Sequence, residues 1–151
     1  MADRDRFLAK GRFCSWSEKG PCARRALKLA GSADTDSEVL SRVYAWVASH
    51  IAYDHEKAAR LAGGRGYVPD PDQTYRDRMG VCFDYASLMV AMLRSVGIPA
   101  KLVVGYVDDG LEHAWVVAWA GNRWCRCDPT MAAGTTKGSS KGHRYRAVHE
   151  L

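Results

Sequence analysis

The hydrophobic pattern of this chain changes its period near the middle, and that change constrains the fold more than any other feature. Residues 83–96 are almost all apolar and rich in good helix formers, and Gly97, Ile98 and Pro99 end the pattern. From Ala100 onward, apolar and β-branched residues follow the two-residue period of strands. A helical part followed by strands, without alternation between the two, favours an α+β fold. The helix at 83–96 is predicted to be buried on most sides.

Strands are predicted at residues 100–107, 112–119 and 123–128, with turn residues at 108–110 and at Gly121 and Asn122. Connections this short join antiparallel neighbours, so these strands are expected to form a meander. In the second of them, His113 and Trp115 should share one face of the sheet and Ala114 should lie on the other. Residues 145–148 are predicted to return as a short final strand.

Helices are also predicted before the buried one. Pro21 and Gly31 bracket residues 23–30 in the order typical of a helix start and a helix end. Thr35 and Glu38 match a capping box, and apolar residues then recur at helical spacing to about residue 50. Residues 62–78 are broken by glycines and prolines, so they are expected to form a long irregular surface loop.

The length of 151 residues is that of one domain, and 47% apolar and 26% charged residues are typical of globular proteins. We expect residues 1–20 to form an N-terminal arm and residues 21–151 a single domain. No apolar run approaches the roughly 18 residues that span a bilayer, so no membrane span is predicted. The N-terminus has no apolar stretch like a signal-peptide core and, taken as it stands, predicts a cytoplasmic protein.

The net charge of +5 and the pI of about 9.0 raise nucleic acid as a partner. The basic residues are scattered in ones and twos, however, and only Lys137, Lys141, Arg144 and Arg146 form a loose cluster. No zinc-finger, RRM or helix-turn-helix motif accompanies them. The pattern therefore favours a solvated surface, and no nucleic-acid partner is predicted.

Five cysteines cannot all pair, so at least one thiol is free. Cys14 and Cys22 could form a disulfide if the protein is exported, and reduced thiols are expected otherwise. Cys125 and Cys127 lie two apart in a strand and should point to one face. Their spacing does not match the CxxC pairs of zinc sites, so no metal and no cofactor are predicted.

Cys82 lies where the irregular stretch meets the buried helix. A thiol at a helix N-terminus faces unpaired N–H groups and the positive end of the helix dipole, which favour the thiolate. Such a cysteine is a candidate nucleophile. The alternative is a buried structural residue, because free cysteine is among the most buried residue types.

His113 and Asp128 are candidate partners of this thiol, and the turn between their strands decides whether they meet. A two-residue turn at Gly121 and Asn122 makes them diagonal neighbours on one face of the sheet. A four-residue loop, or a turn at Ala120 and Gly121, sets them directly opposite each other, whereas a three-residue loop without a bulge places them on opposite faces. Each residue also has a plainer interpretation, as an edge histidine or as a turn-forming aspartate.

If the two residues meet, their chemistry follows from their types. The carboxylate of Asp128 orients the imidazole and stabilises its cation, His113 takes the proton of the thiol, and Cys82 attacks a carbonyl carbon. The order Cys, His, Asp, with the cysteine starting a long helix and the others on a following sheet, matches papain-type enzymes.

The residues around these positions resemble the core of the bacterial transglutaminase-like superfamily. The resemblance runs from about Val39 to Thr130 and is carried by residues 80–86 (GVCFDYA), 95–100 (SVGIPA), 104–106 (VGY), 113–115 (HAW), Trp124 and residues 128–130 (DPT). It implies a papain-like α+β fold in which the nucleophile helix packs on an antiparallel sheet, with Cys82, His113 and Asp128 as a catalytic triad. It also implies acyl transfer through a thioester.

Members of the superfamily that this chain resembles include protein crosslinking enzymes, peptidases, amidases and proteins that have lost catalysis. The leading hypothesis is transfer or hydrolysis at a glutamine-like amide of a protein or peptide substrate. The alternatives are a cysteine peptidase or amidase on the same triad, and a non-catalytic peptide- or wall-binding module. Val116 and Val117 replace the Asn and Glu that often follow the His-Ala-Trp segment, which leaves the substrate class open. The resemblance also favours an exported or envelope protein whose signal peptide has been removed.

An oxyanion hole needs a donor besides the N–H of Cys82. Gln73, which can donate from its amide, and Tyr53, which can aim its hydroxyl into the cleft, are the candidates. A solvated loop residue and a cap on the core are the respective alternatives. Trp115 is expected to pack beside His113 and exclude water, although core packing alone explains it equally.

Overall fold

The computed structural model describes residues 3–62, 66–108, 110–134 and 143–151. In chain order it forms a 3-10 helix at Asp3–Phe7, then α1 (Pro21–Ala30), α2 (Asp36–His50), β1 (Ala52–Tyr53), α3 (His55–Leu61), α4 (Pro71–Asp77), β2 (Met79–Gly80), α5 (Cys82–Ser95), β3 (Ala100–Val107), β4 (Leu111–Ala120), β5 (Arg123–Cys127), α6 (Pro129–Gly134) and β6 (Tyr145–Glu150). Most helices therefore precede the large sheet, as the change of period predicts.

The large sheet is antiparallel, with its strands in the order β5-β4-β3-β6. The turn between β4 and β5 consists of Gly121 and Asn122, which have φ values of 63° and 65°. Positive φ at both positions gives the turn whose twist matches that of the flanking strands. Ala120 pairs with Arg123 across it, so the register is the one that the two-residue turn predicts. A smaller parallel sheet joins β1 and β2.

Helix α5 forms the centre of the core, because every residue from 84 to 94 is buried. It packs against α1 and α2 on one side and against the sheet on the other. Ala114 and Val116 of β4 belong to this main core, whereas Trp115, on the opposite face, packs with Val103 and Val107. Each fully buried large apolar side chain stabilises the fold by roughly 1.5–3 kcal/mol. The predicted α+β architecture, with the helix that begins at Cys82 on an antiparallel sheet, is confirmed.

The irregular loop predicted at residues 62–78 is wrong in its second half, because Pro71–Asp77 forms α4. The carboxylate of Asp70 accepts hydrogen bonds from the N–H groups of Asp72 (3.1 Å) and Gln73 (3.3 Å), which satisfies donors of the first turn. Pro71 stands at the first helical position, where its missing N–H costs nothing. Proline and aspartate mark turns and helix starts alike, and here they mark a helix start.

The N-terminal segment predicted as an arm packs against α5. Phe7 and Cys14 are buried, and the guanidinium of Arg94 donates to the carbonyl oxygen of Ala9 (2.8 Å) and to Sγ of Cys14 (3.0 Å). All five cysteines are free thiols, so Cys14 and Cys22 are not joined. Among the residues that the structure describes, no helix is both long enough and apolar enough to cross a bilayer.

Candidate active site

A short parallel pairing fixes the chain just before Cys82. Tyr53 of β1 pairs with Gly80 of β2, and the N–H of Asp54 donates to the carbonyl oxygen of Gly80 at 2.9 Å. A Cβ atom on Gly80 would lie only 2.5 Å from the Cβ of Asp84, so a larger residue there forces the backbone to shift. Cys82 therefore starts α5 directly behind an anchored strand.

The buried carboxylate of Asp84 accepts a backbone hydrogen bond at the N-terminus of α5. Its side chain is 2% exposed, and its Oδ2 accepts hydrogen bonds from the N–H of Val81 (2.9 Å) and from Nζ of Lys57 (2.8 Å). A buried carboxylate is costly unless it is paired, so the ammonium of Lys57 offsets its charge. The same ammonium lies 4.2 Å from the ring centre of Tyr67. The sequence analysis missed Lys57 and Tyr67, which no local pattern connects to Asp84.

The structure brings His113 and Asp128 together. Val116 of β4 pairs with Cys127 of β5, and this register makes His113 and Asp128 diagonal neighbours. Nε2 of His113 and Oδ2 of Asp128 are 2.8 Å apart, and both side chains are buried, with 6% and 0% exposed. The contact that the Gly121 and Asn122 turn predicts is therefore present.

The charge state of His113 follows from its surroundings. Burial has the largest influence and lowers the pKa of His113, because a low-dielectric site disfavours the imidazolium. Hydrogen bonds to Asp128 and Cys82, together with negative charge at both, outweigh burial and raise the pKa to about 9. The imidazolium is thus the favoured form near neutral pH. A cation held between a thiol and a carboxylate is the arrangement that activates a cysteine nucleophile.

Cys82 is half-buried, and its thiol interacts with the imidazole of His113. Because Nε2 is held by Asp128, Nδ1 is the ring nitrogen that remains for proton exchange with the thiol. Burial, followed by negative charge at Cys82, raises the pKa of Tyr53. The ring of Trp115 lies 6.1 Å from the imidazole centre, nearly parallel to it, and the residue is 2% exposed. The ring of Trp115 thus packs beside that of His113, and the oxyanion-hole and substrate-binding roles of Tyr53 and Trp115 stay predictions.

Two further donors fix the carboxylate of Asp128. Oη of Tyr145 donates to Oδ2 at 2.8 Å, and the N–H of Met131 donates to Oδ1 at 3.2 Å. Burial, followed by the hydrogen bond to Asp128, raises the pKa of Tyr145, so the phenol keeps its proton. Sequence reasoning places Tyr145 only in a final strand and gives it no role, because nothing near Tyr145 in the chain points to Asp128.

The side chain of Gln73 forms a hydrogen bond within its own helix, α4. Its Nε2 donates to Oδ1 of Asp77, one turn later on α4, at 2.8 Å. Gln73 lines an open cleft of about 550 Å³ that reaches Asp84, two residues beyond Cys82 in the chain. The other residues that line this cleft are Asp54, Lys57, Arg60, Tyr67, Val68, Pro69, Asp70, Thr74, Asp77 and Met79. The structure therefore places Gln73 in a neighbouring cleft, with its amide already bound.

A metal site needs several ligand side chains that converge on one ion. In the described parts of the chain, no three His, Cys, Asp or Glu side chains come together in this way. The thiol of Cys125 lies 3.7 Å from the carbonyl oxygen of Ala120. Burial, with smaller effects of Cys125 and Asp128, raises the pKa of Cys127 to about 12, so this thiol stays protonated.

The profile of the Transglutaminase-like superfamily matches residues 23–129. The chain belongs to this superfamily. The match begins within α1 and includes Cys82, His113 and Asp128, and it ends before β6. The family resemblance described from the sequence is thereby confirmed.

Individual relatives in this superfamily carry the same core within longer chains. An uncharacterised protein of Mycobacterium leprae is 35% identical over 56% of this chain and 39% of its own length. A protein-glutamine gamma-glutamyltransferase of Pseudomonas aeruginosa is 36% identical over 39% of this chain and 11% of its own. The crystal structure of a candidate cysteine protease from Cytophaga hutchinsonii superposes with a TM-score of 0.69 at 26% identity, over 86% of this chain and 43% of that one. The chain thus spans less than half of each of these relatives.

Proposed function

We propose that this transglutaminase-like chain is a cysteine-dependent acyltransferase whose acyl donor is the side-chain amide of a protein-bound glutamine. The observation that carries the proposal is the buried hydrogen bond of 2.8 Å between His113 and Asp128 beside the thiol of Cys82. Burying an imidazole and a carboxylate costs free energy, and a binding module has no use for that cost. The gamma-glutamyltransferase relative supports the choice of a glutamine amide.

The thiol proton of Cys82 is already held on His113, as the raised pKa of the imidazole favours, and the reaction begins when the sulfur attacks the carbonyl carbon of the amide. As the carbon–nitrogen bond breaks, His113 returns this proton to the leaving nitrogen, which departs as ammonia. The acyl group is then held on Cys82 as a thioester. A primary amine attacks the thioester carbon and gives a proton to His113, and the sulfur leaves while His113 keeps that proton, which restores the starting state. Asp128 holds the imidazole in place throughout.

The negative oxygen of the tetrahedral intermediate needs hydrogen-bond donors. The N–H of Cys82 is one candidate, because the first N–H groups of a helix have no partner inside it. The phenol of Tyr53, whose pKa is raised by burial and by the nearby sulfur, is the side chain that we assign as the second donor. The amide of Gln73 is bound to Asp77, which makes it the weaker candidate.

Hydrolysis is the second candidate function, since water can replace the amine at the thioester. The superposition on a candidate cysteine protease favours it. Both reactions use the same covalent intermediate, so the acceptor alone distinguishes them.

The test is incubation of the purified chain with casein and a fluorescent primary amine, with ammonia and new peptide ends measured in parallel. Fluorescent casein together with ammonia supports transfer. Ammonia alone, or new peptide ends alone, supports an amidase or a peptidase. Cys82→Ala should abolish every signal, whereas Cys125→Ala, which removes another half-buried thiol, should change none. If wild type and Cys82→Ala are equally inactive and Cys82 is no more reactive than Cys125, the chain is a binding module and the proposal is wrong.

A further inference from the structure

The carboxylate of Asp128 is held by more than the imidazole, and its remaining partners come from different parts of the chain. The phenol of Tyr145 reaches it from β6, at the edge of the sheet. We propose that Tyr145 is a positioning residue of the active site, which acts on His113 through Asp128. This inference rests on the proposed function, and it extends the site beyond residue 129, where the superfamily match ends.

The hydrogen bond of Tyr145 uses the same oxygen that His113 uses. Oδ2 of Asp128 lies 2.8 Å from Nε2 of His113 and 2.8 Å from Oη of Tyr145, while Oδ1 accepts the N–H of Met131. A fully buried carboxylate needs such donors in place of water. With both oxygens bound, the carboxylate cannot rotate without breaking a bond. Tyr145 therefore fixes the direction from which Asp128 meets the imidazole.

The phenol is itself held in position from several sides. Its ring meets Trp115 edge to face at 4.9 Å between centres, and the guanidinium of Arg126 lies 4.0 Å from the ring centre. Tyr145 pairs with Val107 in the sheet. Just before β6, the carboxylate of Asp108 accepts the N–H of Arg144 at 3.1 Å. These contacts aim the hydroxyl at Asp128 through the packing of the sheet.

The close approach of β6 to β3 depends on a residue without a side chain. A Cβ atom on Gly105 would clash with the carbonyl oxygen of Arg146, so a larger residue there would force the backbone to shift. The register of the two strands shifts by one residue between Val104 and Gly105. Gly105 thus lets β6 lie against the sheet where Tyr145 has to reach Asp128.

Sharing one oxygen between two donors has an electrostatic consequence. The phenol donates a hydrogen bond to Oδ2 and so stabilises part of the negative charge of Asp128. Less of that charge is then available to stabilise the imidazolium of His113. The groups that act on His113 are Asp128 and Cys82, and those that act on Tyr145 are Asp128, Arg126 and Tyr44. The ring of His143 also lies near Tyr145, at 6.5 Å between centres. Removing the phenol hydroxyl should leave Asp128 a stronger partner of His113 but a less firmly oriented one.

The test compares Tyr145→Phe with Tyr106→Phe. Tyr106 lies on β3, opposite Arg146 of β6, so its variant removes a tyrosine hydroxyl from the same sheet at a position that makes no hydrogen bond to Asp128. In Tyr145→Phe, kcat for amine incorporation should fall about tenfold with KM little changed, and the alkaline limb of the pH profile should move to higher pH. Tyr106→Phe should match the wild type in both.

An isosteric substitution gives the opposite shift. Placing 3-fluorotyrosine at position 145 makes the phenol a stronger donor, so the alkaline limb should move to lower pH. A residue that only fills space would not move the limb in opposite directions for the two variants. Circular dichroism and thermal unfolding show whether each variant folds. If Tyr145→Phe does not fold, the 3-fluorotyrosine variant still tests the inference.

A titration of the His113 ring protons by NMR separates this inference from the proposed function. It needs no turnover, and a His113→Gln variant assigns the signals. A higher midpoint in Tyr145→Phe and a lower one with 3-fluorotyrosine support the inference even if the wild type transfers no amine. The inference is overturned if neither replacement at position 145 moves the His113 midpoint or, where turnover is measurable, the alkaline limb.

Discussion

The proton on His113 should make the stability of this protein depend on pH in a way that Asp128 controls. Burial lowers the pKa of His113, but the contacts with Asp128 and Cys82 raise it to about 9, against an ordinary value of 6.5. Between these two pH values the folded chain therefore binds more protons than the unfolded chain. The stabilisation is complete below about pH 6.5 and is lost as the pH rises through about 9, and it amounts to up to about 3 kcal/mol.

Asp128→Asn tests this magnitude, because it removes the negative charge and keeps the shape of the side chain. Burial of His113 is then opposed mainly by Cys82, so the fall in the free energy of unfolding between about pH 6 and pH 10 should become much shallower. The measurement is urea unfolding followed by tryptophan fluorescence across that range.

The matched control is Asp108→Asn, which breaks another His–Asp contact, the exposed pair of His143 and Asp108 at 3.0 Å. Exposed pairs contribute little, so this variant should keep the pH dependence of the wild type. Parallel curves for the wild type and Asp128→Asn would refute the reasoning, since the charge of Asp128 would then not hold the proton on His113.

Other predictions concern the reactivity of the thiols and the residues that hold the start of α5 in place. Iodoacetamide at about pH 6 should modify Cys82 first, because burial raises the pKa of Cys14, Cys22 and Cys127 and keeps those thiols protonated; uniform modification in peptide mass spectra would contradict this. Gly80→Ala should destabilise the fold by about 1–3 kcal/mol, because its Cβ meets that of Asp84. Gly66→Ala, whose Cβ meets nothing within 4 Å, should keep the wild-type midpoint in urea. Lys57→Met should cost about 2 kcal/mol by leaving Asp84 buried and unpaired, and an unchanged midpoint would show that the pair contributes nothing.

Local patterns were enough to predict the central elements of the fold. The period of apolar residues predicts α5 and the meander, because side-chain direction in helices and strands is set by a few neighbouring residues. The side chain of Thr35 does cap α2, accepting the N–H of Glu38, as its spacing predicts. The two-residue turn at Gly121 and Asn122, one of the connections that the sequence leaves open, fixes which residues of the two strands face each other. The catalytic roles of these residues remain predictions.

The sequence by itself determined that helices precede an antiparallel meander and that Cys82 stands at a helix start. It left the length of the turn between β4 and β5 open, and the structure decided that a two-residue turn brings His113 to Asp128. Only the tertiary structure decided which groups complete the site: Tyr145 reaches Asp128 from 17 residues away, and Lys57 reaches Asp84 from 27. The physical reason is that a buried carboxylate binds whichever donor the packing of helices and strands brings within hydrogen-bond distance. The residues near the carboxylate in the sequence do not indicate which donor that will be.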